Sequence, residues 1–83
     1  MISWHTELKR VSSLTCREME VFLLLGIGYS NRNIARGLDV TEHTAKAHVA
    51  RILEKLGVES RLQAGLVSYA YQLKRCKPSH KKT

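Results

Sequence analysis

Acidic residues are scarce in this chain: seven Asp and Glu stand against fourteen Lys and Arg in 83 residues. Cysteine and proline are scarcer, at two and one. Each shortage excludes something. Cys16 and Cys76 show no CxxC or other ligand spacing, which argues against both a zinc site and a disulfide framework. His43 and His48 are five residues apart and do not share a helix face, and no cysteine or acid completes a metal set around them. Glu18 and Glu20 sit where a helix begins and do not form an acid–base pair. With no nucleophile–base or metal constellation, the chain reads as a non-enzyme that needs no cofactor. No apolar run approaches the roughly 20 residues that span a bilayer. The N-terminal MISWHTELKR lacks the apolar block of a signal peptide, so the expected location is the cytoplasm, without a membrane partner.

The hydrophobic share, 43%, with no low-complexity run, supports one compact domain with a thin core. The net charge of +7 is unevenly spread. Residues 74–83 (KRCKPSHKKT) hold five of the basic residues and no acid, leaving nine against seven, or +2, for the rest. Such a tail attracts phosphate without sequence preference, and salt screens it.

Along the chain, residues 1–13 read as an N-terminal arm, with Ile2, Trp4 and Leu8 able to pack, or as the end of a linker. Thr15 and Glu18 form a capping box, with Leu14 and Met19 at staple spacing around it. The helix that follows offers Met19, Val21, Phe22, Leu23 and Leu25 to a core and stops at Gly28. Ser30 caps a short helix, NRNIARGL, with Ile34, Ala35 and Leu38 turned inward. A brief turn, Gly37 to Val40, leads into a cap at Thr41. On the helix from Thr41 to Leu56, Ala45, Val49, Ile52, Leu53 and Leu56 share one side. His43, Ala47 and Ala50 occupy the other, flanked by Lys46 and Arg51, and Gly57 suits the left-handed end. Two short helices meeting at a small residue, Ala35, describe a helix-turn-helix, whose second helix enters the major groove of DNA. Ser60 and Gln63 open a last helix through about Leu73, apolar nearly all round, so that one stripe serves the core and a second suits a partner.

The run LTCREMEVFLLLGIGYSNRNIARGLDVTEHTAKAHVARILEKLGVESRLQA resembles the LuxR-type DNA-binding domain, the output domain of many bacterial response regulators and quorum-sensing receptors. The family's Leu-Thr-x-Arg-Glu opening corresponds to Leu14–Glu18, its Gly-x-Ser-Asn to Gly28–Asn31, and its Ile-Ala to Ile34 and Ala35. Its Thr-x-Lys-x-His corresponds to Thr44–His48 and its Lys-Leu to Lys55 and Leu56. Three positions depart from the pattern: Asn33 replaces a frequent acid, Ala45 a usual Val, and Arg51 a common Asn.

The resemblance implies an all-α, four-helix helix-turn-helix domain over residues 14–73, with the basic tail at 74–83. It implies a bacterial transcription regulator that binds double-stranded DNA in the nucleoid. The Lys of Thr-x-Lys and the residues one and four further on carry over as Lys46, Ala47 and Ala50, the face that the helical period marks by itself. His43 joins them as a candidate base contact, and Asn31, Arg32, Thr41, Thr44 and Arg51 are candidate backbone contacts. Lys46 can bond guanine or phosphate, while the two alanines offer only apolar contact, as to thymine methyls. Relatives dimerise weakly through the last helix, which makes Leu62, Leu66, Val67, Ala70 and Tyr71 the expected interface. The alternative reading is a protein-interaction module that binds RNA polymerase or another regulator. A small-molecule signal has no pocket in a domain of this size, so any input lies elsewhere.

Overall fold

The computed structural model describes residues 5–75. It is all-α: α1 (His5–Arg10), a 3-10 turn (Val11–Ser13), α2 (Cys16–Gly26), α3 (Asn31–Leu38), α4 (Glu42–Leu56) and α5 (Arg61–Arg75). The four expected helices are α2 to α5, and α5 runs two residues past the expected end. α1 is an addition in the segment read as arm or linker. Ile2, Trp4, Cys76 and most of the basic tail lie outside the described residues.

The helix starts are held by the side chains that the sequence marks. Thr15 Oγ1 accepts from the Glu18 amide at 3.1 Å while Glu18 Oε1 accepts from the Thr15 amide at 3.0 Å, closing the capping box. Ser30 and Thr41 accept from the amides three residues on, both at 3.1 Å. Gln63 Oε1 accepts from the Ser60 amide at 3.0 Å and Ser60 Oγ from that of Gln63 at 3.2 Å. Each such cap is worth about 1 kcal/mol because it satisfies an amide that has no partner inside its own helix.

The stops use the left-handed region. α2 ends through Gly28 (φ 87°), with the Tyr29 amide donating back to Leu24 O, and α4 through Gly57 (φ 75°), with Val58 donating to Leu53 O. α3 ends through Asp39 (φ 57°), whose neighbour Val40 donates to Ala35 O at 2.9 Å. Gly37 lies inside α3, so a short acid rather than the nearby glycine takes the strained position.

α2 packs on α4 and α5, and α3 packs on α4. The core joins Val21, Phe22 and Leu25 of α2 to Ile34 and Ala35 of α3, the stripe Ala45, Val49, Ile52 and Leu56 of α4, and Ala64 and Val67 of α5. Val11, from the turn after α1, is buried with them, and Leu8 packs alongside. α2 and α5 approach closely because small residues face each other. A Cβ on Gly65 would stand 3.2 Å from Leu25 O, and one on Gly26 would collide with Ser68. The fully buried Ser68 donates its hydroxyl to Phe22 O at 2.6 Å, so the polar atom leaves nothing unsatisfied in the core. No described helix is long and apolar enough to cross a membrane.

Candidate nucleic-acid interface

The turn of residues 39–41 sets α4 against α3, and the burial of Ala45, Val49, Ile52 and Leu56 decides how α4 is rotated. The opposite side is turned out: His43, Lys46, Ala47, Ala50 and Arg51 are all exposed. Thr44 is half-buried, and its Oγ1 accepts from the Thr41 hydroxyl at 3.0 Å. Thr41 itself is exposed but occupied by capping. On α3, Arg32 is exposed, and Asn31 is half-buried with its Oδ1 taken by Arg61. His48 lies half-buried at the margin of the apolar stripe. Thus the candidate base-contact residues share one open face of α4, while of the backbone candidates Arg32, Thr41 and Arg51 are exposed and Asn31 and Thr44 half-buried.

No ion pair among the described residues engages the basic side chains of this face. The ion pairs among the described residues are Arg17–Glu20 and Lys55–Glu18, both away from it. Arg32 on α3 and Lys46 and Arg51 on α4 are therefore exposed cations outside any ion pair, which favours a polyanion. No group of three or more His, Cys, Asp or Glu among the described residues could hold a metal.

The last turn of α4 is fixed from outside. Lys55 Nζ stands 2.7 Å from Glu18 Oε1, and Glu18 is 5% exposed. The Lys55 ammonium first, then the Thr15 amide, hold the Glu18 carboxyl below its ordinary value, outweighing the opposing effect of burial. Arg10 Nη1 donates to Leu56 O at 3.2 Å, placing a cation at the negative end of the α4 dipole. Neither interaction is legible in the sequence, since the partners are 37 and 46 residues apart.

The expected interface on α5 needs correcting. Val67 is fully buried in the domain's own core and cannot meet a second copy. Tyr71 is half-buried and packs edge-to-face on Phe22, with ring centroids 5.7 Å apart. An apolar helix offers no periodic signal to say which stripe turns inward, and packing on α2 made the choice. Leu62 (73% exposed) and Leu66 (46%) face out, and Ala70 is half-buried. Tyr69 and Leu73, absent from the expected set, continue the outer stripe at 56% and 57%. The four fall at i, i+4, i+7 and i+11 and so share one side of the helix. Beside them an apolar groove of about 410 Å³ runs between α5 and the turn carrying Gly28 and Tyr29.

A capped two-helix unit with an exposed basic face on its second helix defines a helix-turn-helix domain of the DNA-binding, transcription-regulating class. The match of residues 12–68 to the bacterial regulatory proteins of the luxR family shows that the chain belongs to that family. Over 59 residues it is 52% identical to the response regulator protein VraR of Staphylococcus aureus, Staphylococcus saprophyticus and Staphylococcus epidermidis. The match covers 71% of this chain and 27% of each relative, so the chain spans little more than a quarter of their length.

Proposed function

We propose that the chain is the DNA-reading output domain of a bacterial response regulator, acting on the nucleoid as a weak dimer. Residues 14–73 form the reading unit, residues 1–13 are an N-terminal arm or the end of a linker, and the basic tail at 74–83 adds phosphate attraction without sequence preference. The observation that carries the proposal is the open face of Lys46, Ala47 and Ala50 on α4, free of acidic partners among the described residues. α4 lies in the major groove with Lys46 at guanine O6/N7 or a phosphate, and His43, Ala47 and Ala50 at base edges. Asn31, Arg32, Thr41, Thr44 and Arg51 hold the backbone on either side, so shape supplies much of the selectivity.

A second copy packs on the outer stripe of α5, Leu62, Leu66, Tyr69 and Leu73, with Ala70 at its edge. Two-fold pairing then sets the two α4 helices about one DNA turn, roughly 34–36 Å, apart. Selection from a random duplex library, followed by fluorescence anisotropy across salt, tests this. Recovery of a near-palindrome with half-sites one turn apart is the expected result, and Lys46→Ala should then weaken binding and lower the salt slope by about one. Recovery of no sequence, with equal salt-sensitive binding to every duplex, would overturn specific recognition and favour a protein partner such as RNA polymerase.

A further inference from the structure

Arg61 opens α5, yet both arms of its guanidinium reach back to α3 and the turn before it. Nη1 donates to Asn31 Oδ1 and Nη2 to the carbonyl of Tyr29. Asn31 is the first residue of α3, directly after the Ser30 cap. A primary amide can present either its oxygen or its two N–H donors along a given direction, and rotation by half a turn exchanges them. The guanidinium allows one orientation only, because the flipped amide would set N–H against N–H. With Oδ1 committed, Nδ2 keeps both donors, and among the described residues nothing accepts from them. The second arm, on Tyr29, keeps the fork from swinging away, which a single-point ammonium would not do.

The geometry points to Arg61 as a positioning residue for DNA binding: it locks the Asn31 side chain with its Nδ2 donors outward, ready for a phosphate oxygen. This rests on the DNA-reading proposal and adds to it a residue on α5, outside the two-helix unit. Arg61 acts through Asn31 and does not itself reach DNA. Asn31 meets the phosphate through a hydrogen bond from a neutral group, so it strengthens binding without displacing a counterion.

The test is a double-mutant cycle with Arg61→Lys and Asn31→Ala, read by anisotropy on the selected duplex across salt. Arg61→Lys keeps the charge and removes the fork, and thermal unfolding of each variant fixes a temperature at which all are folded. Each single change should weaken Kd by about three- to tenfold, the worth of one hydrogen bond, with the salt slope unchanged. The double variant should be no weaker than either single. By NMR, the Asn31 side-chain amide protons should shift on adding DNA to the wild-type chain and not to Arg61→Lys. Losses that multiply in the double variant, or a Lys variant that binds and shifts as wild type does, would overturn the positioning role while leaving DNA binding intact. A wild-type chain that binds no duplex at any salt would overturn both.

Discussion

Lys55 on the last turn of α4 and Glu18 on the first turn of α2 form an ion pair, 2.7 Å from Nζ to Oε1, at the point where Glu18 also closes its own capping box. One buried carboxylate thus serves two elements: it satisfies the orphaned start of α2 and anchors the far end of the helix proposed to read DNA. Because the Lys55 side chain is 30% exposed and that of Glu18 only 7%, the pair is partly screened, and its removal leaves an acid without its cation.

Lys55→Ala should destabilise the domain by about 1–2 kcal/mol at neutral pH, below the range for a fully buried pair. The pH dependence has a defined sign. The folded-state pKa of Glu18 is lowered, so its contribution is present above the ordinary carboxylate value of 4.5 and is lost as pH falls through the lowered folded value. Wild type and Lys55→Ala should therefore differ most near pH 7 and converge in urea unfolding once the pH has fallen through the lowered folded value of Glu18. Curves that stay parallel into acid would exclude the pair as the cause.

Gly57 is constrained twice. Its φ of 75° disfavours any side chain, and an added Cβ would collide with Arg10 Nη1. Gly57→Ala should cost about 1–2 kcal/mol. Combining it with Arg10→Ala should relieve the collision but not the backbone strain, so the double variant should lose less than the sum of the singles. Strict additivity in thermal unfolding would mean that Arg10 does not occupy that space.

Two helical glycines should respond in opposite directions. Gly37 in α3 faces open space with an ordinary helical φ, so Gly37→Ala should stabilise by about 0.5–1 kcal/mol through helix propensity. Gly26 in α2 faces Ser68 and Gln72 of α5, and Gly26→Ala should lower the melting temperature despite the same propensity gain. Equal shifts for the two would contradict the close α2–α5 approach.

The two sides of α5 can be separated by charge. Leu66→Glu, on the exposed stripe, should leave the melting temperature of the monomer nearly unchanged while abolishing paired occupancy of a two-half-site duplex. Val67→Glu, one residue on, should unfold the domain, because it buries an unpaired carboxylate. Sedimentation and gel-shift stoichiometry read the first effect, and circular dichroism the second.

What the sequence determined by itself was local. Caps at Thr15, Ser30, Thr41 and Ser60 were legible because a cap joins residues three apart, and Gly28 and Gly57 marked stops by the same short-range logic. The two faces of α4 followed from the 3.6-residue period, since its apolar positions form one stripe. Where that contrast was missing, the sequence was mute: α5 is apolar nearly all round, and only packing on α2 turned Val67 inward and Leu62, Leu66, Tyr69 and Leu73 outward. The fastenings across the fold also belong to the tertiary structure. Lys55 on Glu18, Arg10 on Leu56 and Arg61 on Asn31 join residues 37, 46 and 30 positions apart. Charged side chains on helix surfaces carry no signal of a distant partner, and that partner exists only once the core has brought the helices together.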